Sequence, residues 1–223
     1  MPVAVACILS FLTGGIPFGF LVGRFVLQDD IRRHGSGNIG ATNVARVIGW
    51  KWGGFVLLLD ALKGAIPTAI AAWYAAKYAP SLRNHLPVAT GMAAILGHMY
   101  PVYLKLRGGK GVATALGVVL IVSPKAVGIA FATFALIAAS TRIVALASML
   151  AAVTYGIAQF WVLGPDWSRA DSLSLSVFAA GVPLLIVWRH RSNIARLIKG
   201  TEPSVTQSAP PETKDTDEAP PRQ

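Results

Sequence analysis

Apolar runs of about 18 residues or more recur along the chain, separated by short polar segments, and that spacing predicts membrane-spanning helices. Residues 3–22 form the first run, with Gly14, Gly15 and Pro17 marking a kink or a close helix approach. Residues 53–74 form the second. It carries Asp60 and Lys63, three apart and therefore on one helical face. A lone charge in hydrocarbon is costly, so these two are expected either to steady the bundle as a pair or to line a polar site. Residues 86–104 form a third run containing His98, which is expected to be a satisfied buried histidine. The apolar stretch 112–140 is interrupted by Ser123-Pro124-Lys125. Each half is too short to cross upright, which predicts two short helices in a hairpin that enters and leaves on one side, with a single kinked helix as the alternative. Residues 143–163 and 172–187 complete the pattern.

Basic residues orient these runs. Arg24, Arg32, Arg33, Arg46, Lys51, Lys105, Arg107, Lys110, Arg142, Arg189, Arg191, Arg196 and Lys199 fall in alternate connections, whereas the others hold only Lys77, Arg83 and Arg169. The positive-inside rule then predicts an all-α integral membrane protein of seven helices, five full crossings plus the hairpin. Its N-terminus lies outside and its C-terminus in the cytoplasm. Residues 1–203 form one polytopic membrane domain. Residues 204–223 are rich in Pro, Thr, Asp and Glu and are expected to be a disordered polar tail.

Composition agrees. Apolar residues make up 54% of the chain and charged residues 13%, which argues against a soluble domain. The net charge of +10 reads as cytoplasmic loops facing anionic lipid rather than as a nucleic-acid surface, since no basic patch is interleaved with aromatics. Cys7 is the only cysteine, so no intramolecular disulfide forms. The four histidines lie in separate segments and inward-facing carboxylates are scarce, so no metal site is expected.

The polar segments carry the chemistry. His34-Gly35-Ser36-Gly37-Asn38-Ile39-Gly40-Ala41-Thr42-Asn43-Val44-Ala45-Arg46 combines glycines, hydroxyls, amides and a guanidinium, which suits a phosphate, although a plain interhelical loop is the bland alternative. Its Gly35-x-Gly37-x-x-Gly40 spacing spells a dinucleotide fingerprint, but no strand precedes it. Lys105-Leu106-Arg107-Gly108-Gly109-Lys110-Gly111 is a second basic glycine-rich loop. It lacks the Ser or Thr and the glycine spacing of a P-loop, yet it offers backbone amides and a lysine to an oxyanion. Segments 34–46, 105–111, 142–148 and 189–193 fall on one membrane face, where together they would cage more than one phosphate-sized anion at headgroup level. A transporter for an organic phosphate is the competing reading, though such carriers bind near the midplane and often show repeated halves. Neither a His-x4-Asp pair nor a Gly-x-Ser-x-Gly elbow is present, so neither a His–Asp base nor an acyl-enzyme is expected.

Three motifs resemble the bacterial acyl-phosphate:glycerol-3-phosphate acyltransferases, the PlsY family. They are Gly35-Ser36-Gly37-Asn38-Ile39-Gly40-Ala41-Thr42-Asn43 with Arg46, then Gly97-His98 and Pro101 with Gly108-Gly109-Lys110-Gly111-Val112-Ala113-Thr114, then His190-Arg191, Asn193-Ile194 and Gly200-Thr201-Glu202-Pro203. The resemblance implies a multi-pass enzyme of the bacterial inner membrane, with its active site on the cytoplasmic side. It would move a fatty acyl group from acyl phosphate to the 1-hydroxyl of sn-glycerol 3-phosphate, giving lysophosphatidic acid and phosphate, the first committed step of phospholipid synthesis. It implies no cofactor, and neither CoA nor acyl carrier protein as direct donor. Carried over by motif, Ser36, Asn38, Gly40 and Thr42 would receive the acyl phosphate beside Arg46. Lys110, with Gly108, Gly109 and Gly111, would hold glycerol phosphate, helped by Ser148. His190 and Asn193 would line the reacting centre, with a protonated His190 expected to offset phosphate repulsion and Glu202 expected to be structural. Ala145 stands where the family commonly has a serine after Arg142, which weakens a role there.

Overall fold

The apolar runs fold as helices, and the polar segments between them supply the irregular backbone. The structure, a computed structural model, describes residues 3–204. The tail expected at 204–223 therefore lies outside the described residues, Ser204 excepted. Among the described residues there are ten α-helices and no strand. They are α1 (Val3–Gly14), α2 (Phe18–Val26), α3 (Ala41–Val47), α4 (Trp50–Tyr78), α5 (Leu86–Met99), α6 (Val112–Val122), α7 (Pro124–Thr141), α8 (Val144–Leu163), α9 (Ala170–Arg189) and α10 (Arg191–Ile198). Five stretches are long and apolar enough to cross a membrane: Val3–Val26, Trp50–Tyr78, Pro124–Thr141, Val144–Ser168 and Ala170–Arg189.

The helix count exceeds the expected seven for identifiable reasons. The first run breaks into α1 and α2 because Pro17 has no N–H to donate to the Thr13 carbonyl, and at the break the Ile16 carbonyl accepts a hydrogen bond from Lys63 Nζ at 2.8 Å. Short helices α3 and α10 form inside segments read as loop and basic amphipathic stretch. The run at 86–104 stops at Met99, since Pro101 steers Tyr100 out of helical geometry, so α5 has only 14 residues. Ser123-Pro124 does turn the chain. However, α7 runs 18 residues and is long enough to cross, against the expectation of two short halves. Nor do α6 and α7 pack as a pair: α6 lies against α4 and α7 against α8. Small residues permit the first of these approaches, because a Cβ on Gly64 would overlap the Thr114 carbonyl and one on Gly117 the Ala61 carbonyl.

Helix direction alternates through the bundle. Ala6 of α1 packs with Ala71 and Ala75 near the end of α4 and with Leu86 at the start of α5. His85 Nδ1 meets Ser174 Oγ at 2.8 Å, joining the starts of α5 and α9 at that same end. Helices α4, α6 and α8 therefore begin at the opposite end, and α5, α7 and α9 finish there. One end of the bundle thus gathers all the polar glycine-rich segments.

Two packed clusters support that end. Ile95, Met99, Val118, Phe178 and Val182 belong to the larger, in which Tyr155 and Phe178 meet edge to face at 6.3 Å. Ile31, Ile39, Val44 and Val56 form the smaller one beneath the 31–40 loop. Outward-facing Phe131, Leu136, Ile157, Trp161 and Leu184 are each more than half exposed, which is stable only where hydrocarbon replaces water.

Candidate active site

The first glycine-rich loop is built on Asn43. This side chain is 2% exposed. Its Oδ1 accepts from the Ser36 N–H at 2.7 Å. Its Nδ2 donates to the carbonyls of Ile31, His34 and Asn38 at 3.3, 3.1 and 2.9 Å. Gly35 sits at φ +59°, and a Cβ there would overlap Asn43 Oδ1, so the turn needs glycine. Asn38 Oδ1 accepts from the Gly40 N–H at 2.8 Å, closing the loop onto the start of α3. Thr42 and Arg46, four residues apart, then leave one face of α3 together.

The second loop is clamped from two sides. From below, the Gly108 N–H donates to the Met99 carbonyl at 3.2 Å and the Gly109 N–H to the His98 carbonyl at 3.1 Å. From above, Arg189 donates through Nη2 to the Gly108 carbonyl at 3.0 Å and to the Gly109 carbonyl at 2.8 Å, with its guanidinium 5.3 Å from the centre of the Tyr100 ring. Lys110 emerges from this clamp, and its Nζ donates to Asn193 Oδ1 at 2.6 Å. Asn193 Nδ2 in turn donates to Glu202 Oε1 at 2.6 Å, and Arg196 Nε to Glu202 Oε2 at 2.7 Å.

These loops enclose one cavity of about 470 Å³. Ser36, Asn38, Gly40, Thr42, Arg46, Lys110, Gly111, Ser148, His190 and Asn193 all line it, as expected residues brought together from four separate segments. Gly108 and Gly109 do not; they form the wall behind Lys110. Trp50, Gly54 and Leu57 of α4 and Phe134 and Ala138 of α7 give the cavity an apolar flank. Asp60 and His98 reach its floor.

The cavity carries surplus positive charge. Arg46, Lys110 and Arg142 line it, and none of them has an ion-pair partner among the described residues. Its two carboxylates are already engaged, Glu202 by Arg196 and Asn193, and Asp60 by Lys63 at 2.7 Å. Burial holds the Arg46 guanidinium below its ordinary pKa, and Arg46 Nε has no hydrogen-bond partner. Burial brings the Lys110 ammonium down to about 8, with Glu202 opposing and the neighbouring guanidiniums of Arg196, Arg46 and Arg189 adding to the effect. A bound dianion would reverse that shift.

His190 is a neutral imidazole on the protein's own charges. Burial first, and then the charge of Lys110, push it down to about 4. Its Nδ1 lies 2.8 Å from the Ile186 carbonyl, which can only accept, so Nδ1 carries the proton. Nε2 is left as a bare acceptor. His190 can therefore receive a hydrogen bond from a hydroxyl, and a bound dianion would raise its pKa as it would that of Lys110.

Sequence reasoning gave several participants too little weight. Arg142 lines the cavity through the left-handed turn it makes between α7 and α8, at φ +57°. Arg189 clamps carbonyls some 80 positions upstream, and no local pattern announces such a pairing. Glu202 orients Asn193, as its placement in the third motif hinted. Asn43 was visible as a polar member of its segment, but its part as the loop's organiser follows only from the fold.

A family model described as glycerol-3-phosphate acyltransferase matches residues 4–200. A glycerol-3-phosphate acyltransferase of Myxococcus xanthus is 45% identical over 195 residues, covering 87% of this chain and 95% of the relative. One from Syntrophotalea carbinolica is 44% identical over 198 residues, covering 89% and 95%. Among solved structures, the glycerol 3-phosphate form of PlsY, an integral membrane glycerol 3-phosphate acyltransferase, superposes with a TM-score of 0.81 at 38% identity, covering 92% of this chain and 96% of that one. Its lysophosphatidic acid form gives 0.77 at 37% identity, covering 92% and 95%.

Proposed function

Because the chain belongs to the glycerol-3-phosphate acyltransferase family, and is thus an integral membrane acyltransferase, we propose that it draws its acyl group from an acyl phosphate and places it on the 1-hydroxyl of sn-glycerol 3-phosphate. The products are lysophosphatidic acid and inorganic phosphate. The polar end of the bundle faces the cytoplasm of a bacterial inner membrane, and the distribution of basic residues supports that sidedness. The N-terminus then lies outside.

The observation that carries this reading is the single cavity in which three unpaired cations meet an apolar flank. An acyl phosphate and glycerol 3-phosphate together bring two phosphates and one hydrocarbon chain, and the cavity offers matching chemistry to each. Arg46, with the Ser36, Asn38, Gly40 and Thr42 segment, receives the acyl phosphate head. The chain passes along Gly54, Leu57, Phe134 and Ala138 towards lipid. Lys110, Ser148 and Asn193 hold the phosphate of the acceptor, and Arg142 adds charge at the cavity wall.

An acyl phosphate is a mixed anhydride, so no enzyme nucleophile is needed. The acceptor hydroxyl forms the new C–O bond at the carbonyl carbon, the bond from that carbon to the phosphate oxygen breaks, and the hydroxyl proton passes to the departing phosphate. His190 Nε2 accepts from the hydroxyl, aims its oxygen and relays that proton to the departing phosphate. Guanidinium and ammonium groups facing the developing charge are the kind of preorganised electrostatics that usually dominates such steps. Holding both substrates in one cavity adds the proximity contribution.

The test is purified protein in lipid, supplied with glycerol 3-phosphate and palmitoyl phosphate, palmitoyl-CoA or acyl carrier protein loaded with palmitate. Phosphate release with lysophosphatidic acid formation from palmitoyl phosphate alone is expected. Direct acylation from either thioester would overturn the donor assignment. Uptake of glycerol 3-phosphate into vesicles without acylation would point to a carrier.

A further inference from the structure

Beneath the Lys110 turn lies a group of buried polar residues for which the chemistry above has no use. Asp60 and Lys63 form an ion pair that is almost wholly buried, with side chains 2% and 3% exposed. Such a pair is a poor source of stability, because desolvation offsets the attraction. At membrane depth, ionisable residues mark function. Lys63 also donates to the Ile16 carbonyl exposed by the break between α1 and α2. His98 sits over the pair, with Nδ1 3.7 Å from Asp60 Oδ1. Its other edge faces up: a Cβ on Gly109 would overlap His98 Nε2. The backbone under the ring is locked as well, since a Cβ on Gly97 would overlap the Phe11 carbonyl and one on Gly14 the Ala94 carbonyl.

We propose that His98, seated on the Asp60–Lys63 pair, is a positioning residue that fixes the height of the Gly108–Gly109 turn, and thereby the point at which the Lys110 ammonium meets the phosphate of glycerol 3-phosphate. The ring is the platform, and Arg189 presses the turn onto it from the opposite side through the two glycine carbonyls. The ion pair lies beneath the ring, with no hydrogen bond to Nδ1. Through Ile16, the same pair ties that height to the α1–α2 break, so two separate parts of the bundle share one reference point. This inference rests on the substrate reading above and adds a residue that acts through Lys110.

The experiment is a size exchange read by separate Michaelis constants. Gly109→Ala forces the turn off the ring. The KM for glycerol 3-phosphate should rise about tenfold or more, as expected when a charged anchor is displaced by a fraction of an ångström. The KM for acyl phosphate should stay within about twofold, because the 34–46 loop is untouched. His98→Ala removes the platform and should raise the same constant. The double variant His98→Ala/Gly109→Ala should recover much of the loss of Gly109→Ala, since the added methyl then fills space the ring vacated. Asp60→Asn, which preserves shape, should raise the glycerol 3-phosphate constant less than His98→Ala does.

Additive losses in the double variant would overturn the proposal. So would equal movement of both Michaelis constants, the signature of general damage to the bundle. Should Gly109→Ala not fold, His98→Asn, which fits within the existing space, carries the test through the same split. Wild-type protein lacking any acyl phosphate-dependent turnover would overturn the functional reading instead, so the two failures separate cleanly.

Discussion

Asn43→Asp is a near-isosteric change with a large expected consequence. The carboxyl keeps an oxygen for the Ser36 N–H, but it loses the amide hydrogens that serve the carbonyls of Ile31, His34 and Asn38. The amide has two hydrogens to share among the three carbonyls, and buried hydrogen bonds are worth about 0.5–1.5 kcal/mol each, so losing both donors amounts to about 1–3 kcal/mol concentrated in one loop. The site is 2% exposed, so water cannot replace the lost donors without opening the loop. Most of that energy should therefore appear as local opening of residues 31–40 rather than as loss of the bundle. Ser36 and Asn38 then drift from the cavity, and displacements of this kind cost turnover by about 10²-fold. Two measurements check it: phosphate release at saturating substrates, and hydrogen exchange of the 31–40 amides against those of α8. Fast exchange confined to 31–40 together with collapsed turnover is expected. Wild-type turnover and unchanged protection in the variant would refute the assignment of Asn43 as the loop's organiser.

The Lys110 pKa of about 8 makes anion capture pH-dependent. Its value lies below that of an ordinary lysine, so the ammonium is present below about 8 and lost above it. The KM for glycerol 3-phosphate should climb as the pH passes that value, and Lys110→Arg, which stays charged, should remove the inflection. In the bundle, Gly117→Ala drives a methyl into the Ala61 carbonyl across the α4–α6 interface and should lower stability by about 1–3 kcal/mol. Gly181→Ala on α9 meets nothing within 4 Å and should leave the melting temperature unchanged or higher, as thermal unfolding in detergent will show.

The sequence told helices from polar segments because hydrocarbon imposes a simple rule on composition, and it picked out residues that line one cavity because each cluster is contiguous. Crossing lengths were harder to read. The 86–104 run looks continuous, yet Pro101 ends α5 at Met99, and Pro124 begins a full-length α7 where two short halves were expected. A proline at the start of a helix and one just past its end read alike in a hydropathy trace. Pairings distant in sequence carried no signal at all. Arg189 on the Gly108 and Gly109 carbonyls and His98 above Asp60 join segments that meet only because the intervening helices alternate in direction.

That alternation also explains why the polar segments have the composition they do. At the site end α4, α6 and α8 start, α2, α5, α7 and α9 finish, and α3 and α10 lie whole, so many backbone amides and carbonyls there lack helical partners. Near hydrocarbon such groups cannot be left to water, and side chains must serve them. Asn43 serves the carbonyls around 31–38, Arg189 those of Gly108 and Gly109, and Lys63 that of Ile16. Each also draws a charge or a glycine turn into place around the cavity. The residues that make irregular backbone tolerable at the membrane surface thus also shape the loops that carry Arg46 and Lys110, so damage to the 34–46 loop should reach Arg46 and damage to the 105–111 loop should reach Lys110.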